Sequence, residues 1–280
     1  MADHDENEAS ECGPKFSPPL YMQRYQFVRD LLSKESPVIK KLADFGCAEG
    51  RFIRYMKQIP FAEEAVCVDI IRTNLEEFCV HEAQPIMWDH MFGRSVPLTV
   101  NLYEGSVAEL DCRLKGFDAV SCIELIEHLH PNILAKLPLN IFGYLEPRVV
   151  VFTTPNSEFN VLFPQLNGKF RHWDHKFEWT RQEFKNWCRE IVKDYPNYDF
   201  EITGVGNPPS EREDVGFCTQ IAIFRRLYSS EKNNDDRQPH SYSLVESFYY
   251  RQRTKEEEIK FQKDREASPI DWDACISNNR

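Results

Sequence analysis

The chain has 280 residues, of which 41% are hydrophobic and 28% are charged, and its formal net charge is −11. This length accommodates one sizeable α/β domain with appendages, and the composition excludes collagen, coiled coil and wholesale disorder. The acidic charge argues against the broad basic surface of most nucleic-acid binders, so any such contact would have to use a local basic patch.

The N-terminal segment MADHDENEASECG is acidic and polar, unlike a secretory leader, and no apolar run of eighteen residues marks a membrane span. The nine cysteines are scattered singly without a CxxC pair, which indicates reduced thiols. Several lie in apolar runs such as 65–68, where cysteine acts as a small buried hydrophobe, and we assign none a catalytic role. We therefore expect a soluble intracellular protein with a polar, disordered tail over residues 1–15.

Short β-branched runs alternate with helical stretches over residues 16–228, which is typical of a parallel sheet covered by helices. The predicted parallel strands are 39–45, 65–69, 99–104, 119–123 and 149–153. Two further runs, 199–203 and 220–225, are joined by a loop and predict a terminal antiparallel hairpin. This α/β pattern, a mostly parallel Rossmann-like sheet, resembles the class I S-adenosylmethionine-dependent methyltransferase fold.

Residues 229–280 mix Asn, Asp, Glu, Lys and Arg with little apolar periodicity. We expect a charged, largely disordered C-terminal tail there, within which 251–265 could instead form an exposed helix. The predicted organisation is thus a tail at 1–15, a catalytic domain at 16–228 and a second tail at 229–280.

A glycine turn, DFGCAEG, follows the first predicted strand and leads into a helix over residues 51–58. Gly46 and Gly50 let the backbone approach a ligand closely. The spacing D-x-G-x-x-x-G lacks the second early glycine of a dinucleotide fingerprint, which disfavours a phosphate ligand. Asp44 at the start of the turn suits a cationic ligand such as the ammonium and sulfonium of S-adenosylmethionine, and Glu49 is a further candidate contact.

Polar residues also end the second and third predicted strands. Asp69 lies nineteen residues after Gly50, where a carboxylate can accept both ribose hydroxyls of a nucleoside cofactor. Ser106 follows the third strand and is placed to meet the adenine, although a simple turn serine is an equal alternative. Together with the turn, these residues predict a cofactor site.

The fourth predicted strand is followed by ELIEH, in which Glu124, Glu127 and His128 share one face if the segment is helical. Two adjacent carboxylates repel unless a cation or a shared proton relieves them, and the imidazole adds a metal-binding nitrogen. An exposed charged helix face is the alternative. The spacing does not match the zinc protease motifs, and mixed Glu and His ligands suit Mg²⁺ or Mn²⁺.

The segment RHWDHKFEW, residues 171–179, offers a further ligand from either His172 or His175, although a surface histidine is the more frequent outcome. Thr180 and Glu183 form a capping box that predicts a helix start directly afterwards. A local basic cluster lies around this segment and predicts contact with a nucleic-acid backbone, for which we select Lys169, Arg171 and Arg181.

Six motifs together resemble the small-RNA 3′-terminal 2′-O-methyltransferases that modify plant microRNAs and animal Piwi-interacting RNAs. They are PPLYMQRY, DFGCAEG, ELIEHL, FTTPNSEFN, DHKFEWTRQEF and TGVG, spread over residues 16–226. ELIEH combined with DHKFEWTR is far more specific than the glycine turn. Carried over by position, the family's metal ligands and catalytic residues fall on Glu124, Glu127, His128 and His175, so the resemblance selects His175 over His172.

The resemblance implies methyl transfer from S-adenosylmethionine to the 2′-hydroxyl at the 3′ end of a small single-stranded RNA, assisted by Mg²⁺ or Mn²⁺. Plant members carry RNA-binding domains ahead of the catalytic domain, for which this chain has no room, so it resembles the animal form. A Piwi-family protein is the implied partner and could supply RNA affinity, without DNA or membrane, in the cytoplasm including germ-cell RNA granules. The alternatives are a methyltransferase acting on a protein or small metabolite, and an inactive Piwi-binding scaffold.

Overall fold

The computed structural model describes residues 13–228 and 239–267. The predicted N-terminal tail lies outside the described residues except for 13–15, which have no regular secondary structure. Of the predicted C-terminal tail, 229–238 and 268–280 also lie outside them.

One eight-stranded sheet organises the described residues, in the order β6-β7-β5-β4-β1-β2-β3-β8. The first five strands pair in parallel, and β6 and β7 are antiparallel at one side. All seven predicted strands are therefore confirmed. Apolar, β-branched runs favour strands that are buried on both faces, as β1, β2, β4 and β5 are. The strands are β1 Lys41–Phe45, β2 Glu64–Asp69, β3 Leu98–Glu104, β4 Ala119–Ile123, β5 Val149–Pro155, β6 Tyr198–Val205, β7 Thr219–Arg226 and β8 Ser243–Tyr250.

Helices of very different length cover the sheet. The α-helices are α1 Leu20–Lys34, α2 Ile53–Met56, α3 Arg72–Asn74, α4 Val80–Ala83, α5 Met87–Phe92, α6 Pro131–Leu134, α7 Arg181–Asp194 and α8 Lys255–Ala267. Two π-helical turns, Leu75–Cys79 and Leu139–Leu145, and five 3-10 turns complete the set: Cys112–Leu114, Ile126–His128, Ser157–Leu162, Pro164–Leu166 and Ser210–Val215. None of the helices in the described residues has the length and apolar character needed to cross a bilayer.

Three predicted local features can be compared directly with the structure. The helix expected over 51–58 is reduced to the single turn α2, with hydrogen-bonded turns on either side. The capping box is present, since Thr180 accepts from the Glu183 N–H while the Glu183 carboxylate accepts from the Thr180 N–H. Six of the seven cysteines in the described residues are buried, as expected for small hydrophobes.

The C-terminal region departs from the prediction. Residues expected to be a structureless tail form β8, antiparallel to β3, and then α8. Val245 and Phe248 pack against the core, and the buried Tyr250 donates its hydroxyl to the Ala83 carbonyl at 2.6 Å. The catalytic sheet therefore extends to Tyr250 rather than ending at residue 228. Most β8 side chains face solvent because it is an edge strand, and the strongly charged segments on either side of it conceal the strand in the sequence.

Parallel pairing brings the carboxyl ends of β1, β2, β3 and β4 to one edge of the sheet. The order of strands in the sheet reverses between the parallel neighbours β1 and β4: β2 and β3 are added on one side of β1, and β4 and β5 on the other. Ligands of open α/β sheets bind in the crevice at such a switch point. The predicted cofactor turn and the ELIEH segment both follow strands that end there.

Candidate active site

The glycine turn after β1 is formed as the sequence predicts. Gly46 and Gly50 have φ angles of 72° and 73°, a region in which residues with side chains are strained. A Cβ atom on Gly46 would lie 2.5 Å from the Leu125 side chain. Gly46 is therefore required by both conformation and packing, and it brings the turn into contact with the ELIEH segment.

Asp69 at the end of β2 is held by backbone groups. Its Oδ2 accepts from the Ala48 N–H and its Oδ1 from the Ile71 N–H, both at 2.8 Å. Burial raises the pKa of this carboxyl above its usual value, against the opposing effect of these hydrogen bonds. Each oxygen has a second lone pair, so the carboxylate can still accept from a ribose diol.

Asp44 is almost completely buried at the end of β1. The Ser121 hydroxyl donates to its Oδ1 at 2.6 Å. Burial raises the pKa of Asp44 to about 7; the Ser121 hydrogen bond opposes this rise, and nearby Asp69 adds to it. A positively charged ligand would favour ionised Asp44, which agrees with the predicted contact to a cationic cofactor.

The other two predicted cofactor contacts also have protein partners. The Glu49 carboxylate pairs with Arg51 at 3.2 Å. The Ser106 hydroxyl accepts from the Ala108 N–H at 3.3 Å, as in an ordinary serine turn. Ser106 does lie just beyond β3 at the ligand-binding edge, and both assignments stay predictions.

Glu124 lies one residue beyond β4 in a left-handed conformation, with φ of 50°. Its N–H donates to the Thr153 carbonyl at 3.1 Å, and the Thr153 hydroxyl donates to its Oε1 at 2.8 Å. Arg24 of α1 pairs with its Oε2 at 3.3 Å. The helical turn begins only at Ile126. The expectation that ELIEH presents its side chains from one helix face therefore fails, because strand-end hydrogen bonds hold Glu124 outside the helix.

Glu127 is fully buried, and this decides whether a cation fits the site. Its Oε2 accepts from the Thr154 hydroxyl at 3.0 Å, whereas its Oε1 has no hydrogen-bond partner among the described residues. Burial raises the pKa of Glu127 well above its usual value, and the charge of Glu124 raises it further. A divalent cation would supply the missing partner and relieve this repulsion, so the donor set fits a metal ion.

Three imidazoles meet beside these carboxylates. The His128 ring centroid lies 4.7 Å from that of His175 and 5.5 Å from that of His172. One donor atom from each ring lies within 4.8 Å of the other two, and within the described residues neither Glu124 nor Glu127 belongs to that group. The structure therefore brings His128 and His175 together with His172, whereas Glu124 and Glu127, whose charges interact with each other, lie outside this histidine group.

Hydrogen bonds indicate which nitrogen of each ring is available. His175 Nδ1 lies 2.6 Å from Glu178 Oε1, and His128 Nδ1 lies 3.1 Å from Asp174 Oδ2. Because a carboxylate accepts, Nδ1 of each ring is the donor, which in a neutral imidazole leaves the Nε2 lone pair available. In His172 the Nδ1 atom accepts from the Asp174 N–H at 3.2 Å, so the neutral ring is protonated at Nε2. This arrangement favours His175 over His172 as the fourth ligand.

Glu178 and Asp174 hold these rings as ionised carboxylates. Burial disfavours the charge of Glu178, but hydrogen bonds from His175, Asn160 and the Arg171 backbone lower its pKa below the usual value. The pKa of Asp174 is lowered, first by its hydrogen bond from Lys176. For His128, burial lowers the imidazole pKa and the neighbouring His175 lowers it further, against the effect of Asp174.

Two of the three residues predicted to contact RNA are engaged within the protein. The Arg171 guanidinium donates to Asn160 Oδ1 and to the carbonyls of Asn156 and Cys218. Arg181 pairs with Glu158 at 2.6 Å and donates to the Asp214 carbonyl. Lys169 is exposed. The RNA-binding assignment stays a prediction.

Sequence reasoning did not single out three residues that shape this site: Arg24, Asp174 and Glu178. Arg24 lies in PPLYMQRY, and the two carboxylates lie in DHKFEWTR. A carboxylate three residues after a candidate ligand histidine is the available signal for Glu178, because ligating imidazoles usually donate their second N–H to such a group. Arg24 carries no comparable local signal.

Comparisons with known proteins agree with this geometry. A family model described as a methyltransferase domain matches residues 21–200. The chain is 45% identical over 271 residues to a small RNA 2′-O-methyltransferase of Drosophila melanogaster, with 89% of this chain and 68% of that protein covered. It is 43% identical over 264 residues to the small RNA 2′-O-methyltransferase of Rattus norvegicus, with 93% of this chain and 66% of that protein covered.

A solved structure is similar as well. The crystal structure of small RNA methyltransferase HEN1 matches with a TM-score of 0.65 and 29% identity, covering 85% of this chain and 28% of that chain. The sheet order and these matches confirm the predicted class I methyltransferase fold. The chain spans about two thirds of the length of the two curated relatives.

Proposed function

Because this chain belongs to the family of small RNA 2′-O-methyltransferases, we propose that it methylates the 2′-hydroxyl of the 3′-terminal nucleotide of small single-stranded RNAs. The proposed methyl donor is S-adenosylmethionine. The proposed substrates are Piwi-interacting RNAs carried by a Piwi-family protein in the cytoplasm. The observation that supports this best is the fully buried Glu127 carboxylate, whose Oε1 has no hydrogen-bond partner among the described residues and whose neighbour His128 belongs to the histidine cluster.

The cofactor half of the site supports a cationic nucleoside ligand. Asp69 can accept from the ribose diol, and Asp44 can balance the positive charge of the donor. Gly46, Gly50 and Glu49 line the same turn, and Ser106 lies at the next strand end. Methyl transfer then needs the acceptor hydroxyl in line with the donor, and positioning of this kind supplies much of a rate enhancement.

The metal half would hold Mg²⁺ or Mn²⁺ through Glu124, Glu127, His128 and His175. When bound, such an ion supplies Lewis acidity that lowers the pKa of the ribose hydroxyls and orients them. Arg24 and Thr153 restrain Glu124, while Glu178 and Asp174 restrain the two imidazoles. Either imidazole can accept the hydroxyl proton at Nε2 only while that nitrogen is not coordinating, so one group cannot perform both tasks at once.

Four oligomers of one sequence test this function, ending in a free diol, a 3′-deoxy, a 2′-deoxy or a 3′-phosphate nucleotide. Each is assayed with labelled methyl donor in Mg²⁺, in Mn²⁺ and in chelator. We expect rapid labelling of the diol, much slower labelling of the 3′-deoxy end and none of the other two, because orientation requires both hydroxyls.

Labelling of the 2′-deoxy end would overturn the 2′-hydroxyl as acceptor. Full activity in chelator would overturn metal assistance. Comparable rates for the diol and the 3′-deoxy end would show that the 3′-oxygen has no role in orientation. If no RNA is labelled while a protein or small metabolite is, the chain acts on a different substrate class.

A further inference from the structure

A large aromatic side chain projects into solvent at the edge of the histidine cluster. Trp173 is 74% exposed, although tryptophan is usually well buried. Its ring centroid lies 5.4 Å from that of His172, which in turn lies 5.5 Å from that of His175. The indole therefore contacts the outer ring, His172, of the histidine group that the proposed function places at the acceptor ribose.

The backbone on both sides of Trp173 is fixed. The Arg171 N–H donates to Glu178 Oε1 at 2.6 Å, and the Asp174 N–H donates to His172 Nδ1 at 3.2 Å. The Lys176 N–H donates to the Glu127 carbonyl at 2.8 Å. A side chain on such a segment can bind a flat ligand without the entropic cost of ordering a loop.

Charge also limits how this protein can hold a nucleic acid. The net charge is −11, and the guanidinium groups of Arg171 and Arg181 are engaged with protein partners. Single-stranded RNA is commonly bound by stacking its bases on aromatic side chains, which works for every base and needs no positive charge. An exposed indole beside the acceptor site provides such a surface.

From these observations, and on the basis of the function proposed above, we propose that Trp173 is the stacking platform for the base of the 3′-terminal nucleotide. The base is joined directly to the ribose that carries the acceptor hydroxyl, so it lies at the margin of the histidine cluster. Stacking there holds the terminal ribose against the cluster and tolerates any base at the 3′ end.

Substrate and enzyme changes combined test this assignment. Wild type, Trp173→Phe and Trp173→Ala are compared on three oligomers: one unmodified, one abasic at the terminal nucleotide and one abasic at the penultimate nucleotide. Because stacking is worth about 1–3 kcal/mol per base, we expect Trp173→Ala to raise KM about 5- to 150-fold on the unmodified oligomer, with kcat nearly unchanged. Trp173→Phe should show a smaller increase.

The terminal abasic oligomer should bind wild type and Trp173→Ala equally, because the partner of the indole is missing. The penultimate abasic oligomer should keep the full difference. Phe61→Ala is the matched control, since Phe61 is another exposed aromatic but precedes β2 at the opposite edge of the sheet, and it should behave as wild type.

An unchanged KM for Trp173→Ala on unmodified RNA would overturn the platform and leave a protein partner as the ligand of this indole. A difference that persists on the terminal abasic oligomer would overturn the assignment to the terminal base. Anisotropy of labelled oligomers measures the same comparison without turnover. If wild type binds RNA but methylates none, the proposed function fails while the binding difference still decides the role of Trp173.

Discussion

The two halves of the site are built in different ways. In the cofactor half, Asp69 is held by two backbone N–H groups, one from Ala48 in the glycine turn and one from Ile71 just after β2. In the histidine half, side chains hold one another, as Arg24 of α1 holds the distant Glu124 and Glu178 holds the nearby His175. The backbone-built half should tolerate substitutions around it, whereas in the other half the loss of one partner should spread to its neighbours.

The halves also share one property. Each buries a carboxyl whose pKa is raised mainly by burial: Asp44, at about 7, in the first and Glu127 in the second. Burying a charge is costly unless an opposite charge accompanies it. Each half is therefore suited to a positive ligand, an organic cation at Asp44 and a metal ion at Glu127.

The largest effect should come from substitutions in the histidine half, which should remove activity without affecting the cofactor half. We expect Glu127→Ala and His175→Ala each to abolish methyl transfer while leaving S-adenosylmethionine binding nearly unchanged, because the cofactor contacts lie in the other half. Calorimetric titration measures binding, and labelled methyl transfer measures activity. His172→Ala is the control and should keep most activity; an inactive His172→Ala with an active His175→Ala would show that the fourth ligand is His172.

The next largest effect concerns stability and pH in the cofactor half. Folding raises the pKa of Asp44 from its ordinary value to about 7, so the folded state holds this proton more tightly. This stabilisation is complete below the unfolded pKa and is lost as pH rises through 7. A shift of about three units corresponds to roughly 4 kcal/mol. Asp44→Asn should therefore gain stability relative to wild type between pH 4 and 8, yet bind the cationic cofactor more weakly.

Urea denaturation across that pH range measures the free energy of unfolding of wild type and Asp44→Asn. Asp30→Asn is the control, because Asp30 is exposed and should follow wild type. Parallel pH profiles for wild type and Asp44→Asn would show that Asp44 ionises normally in the folded protein.

A smaller effect should follow from Glu178→Gln, which tests how far the histidine half depends on its supporting carboxylates. The neutral amide accepts from His175 Nδ1 less strongly, and loss of such a partner typically lowers metal affinity or activity about 10- to 100-fold. Titration with Mn²⁺ followed by electron paramagnetic resonance reports this directly. Glu190→Gln, on an exposed face of α7, should bind as wild type, and equal Mn²⁺ affinity in both variants would remove Glu178 from the metal site.

Features of the molecule that are set by local sequence were predicted, whereas features that depend on contacts with other segments were not. The strands and the glycine turn were predictable because apolar runs and glycine spacing are local properties. The left-handed Glu124 was not, since its conformation depends on Thr153 of a neighbouring strand. The choice between His172 and His175 came only from resemblance, although Glu178, three residues after His175, was an available local signal for it. The edge strand β8 was missed because it is a short run between two strongly charged segments.

The smallest effect distinguishes cations that face RNA from cations that support the loop. Lys169 is exposed, whereas the charge of Arg181 is already balanced by Glu158. Each phosphate contact on a single strand contributes about 0.7 to the slope of log affinity against log salt. We therefore expect Lys169→Ala to flatten this slope by about 0.7, and Arg181→Ala to change it less.

Arg171→Ala is unsuitable for the same comparison, because its guanidinium holds the carbonyls of Asn156 and Cys218 and its loss would disturb the loop itself. Anisotropy of a labelled oligomer at several salt concentrations gives the slope for each variant. Identical slopes for wild type and Lys169→Ala would make this basic cluster an ordinary solvated surface. RNA affinity would then depend more on the proposed stacking on Trp173 and on the proposed partner protein. Phosphate contacts by this cluster would contribute little to substrate recognition.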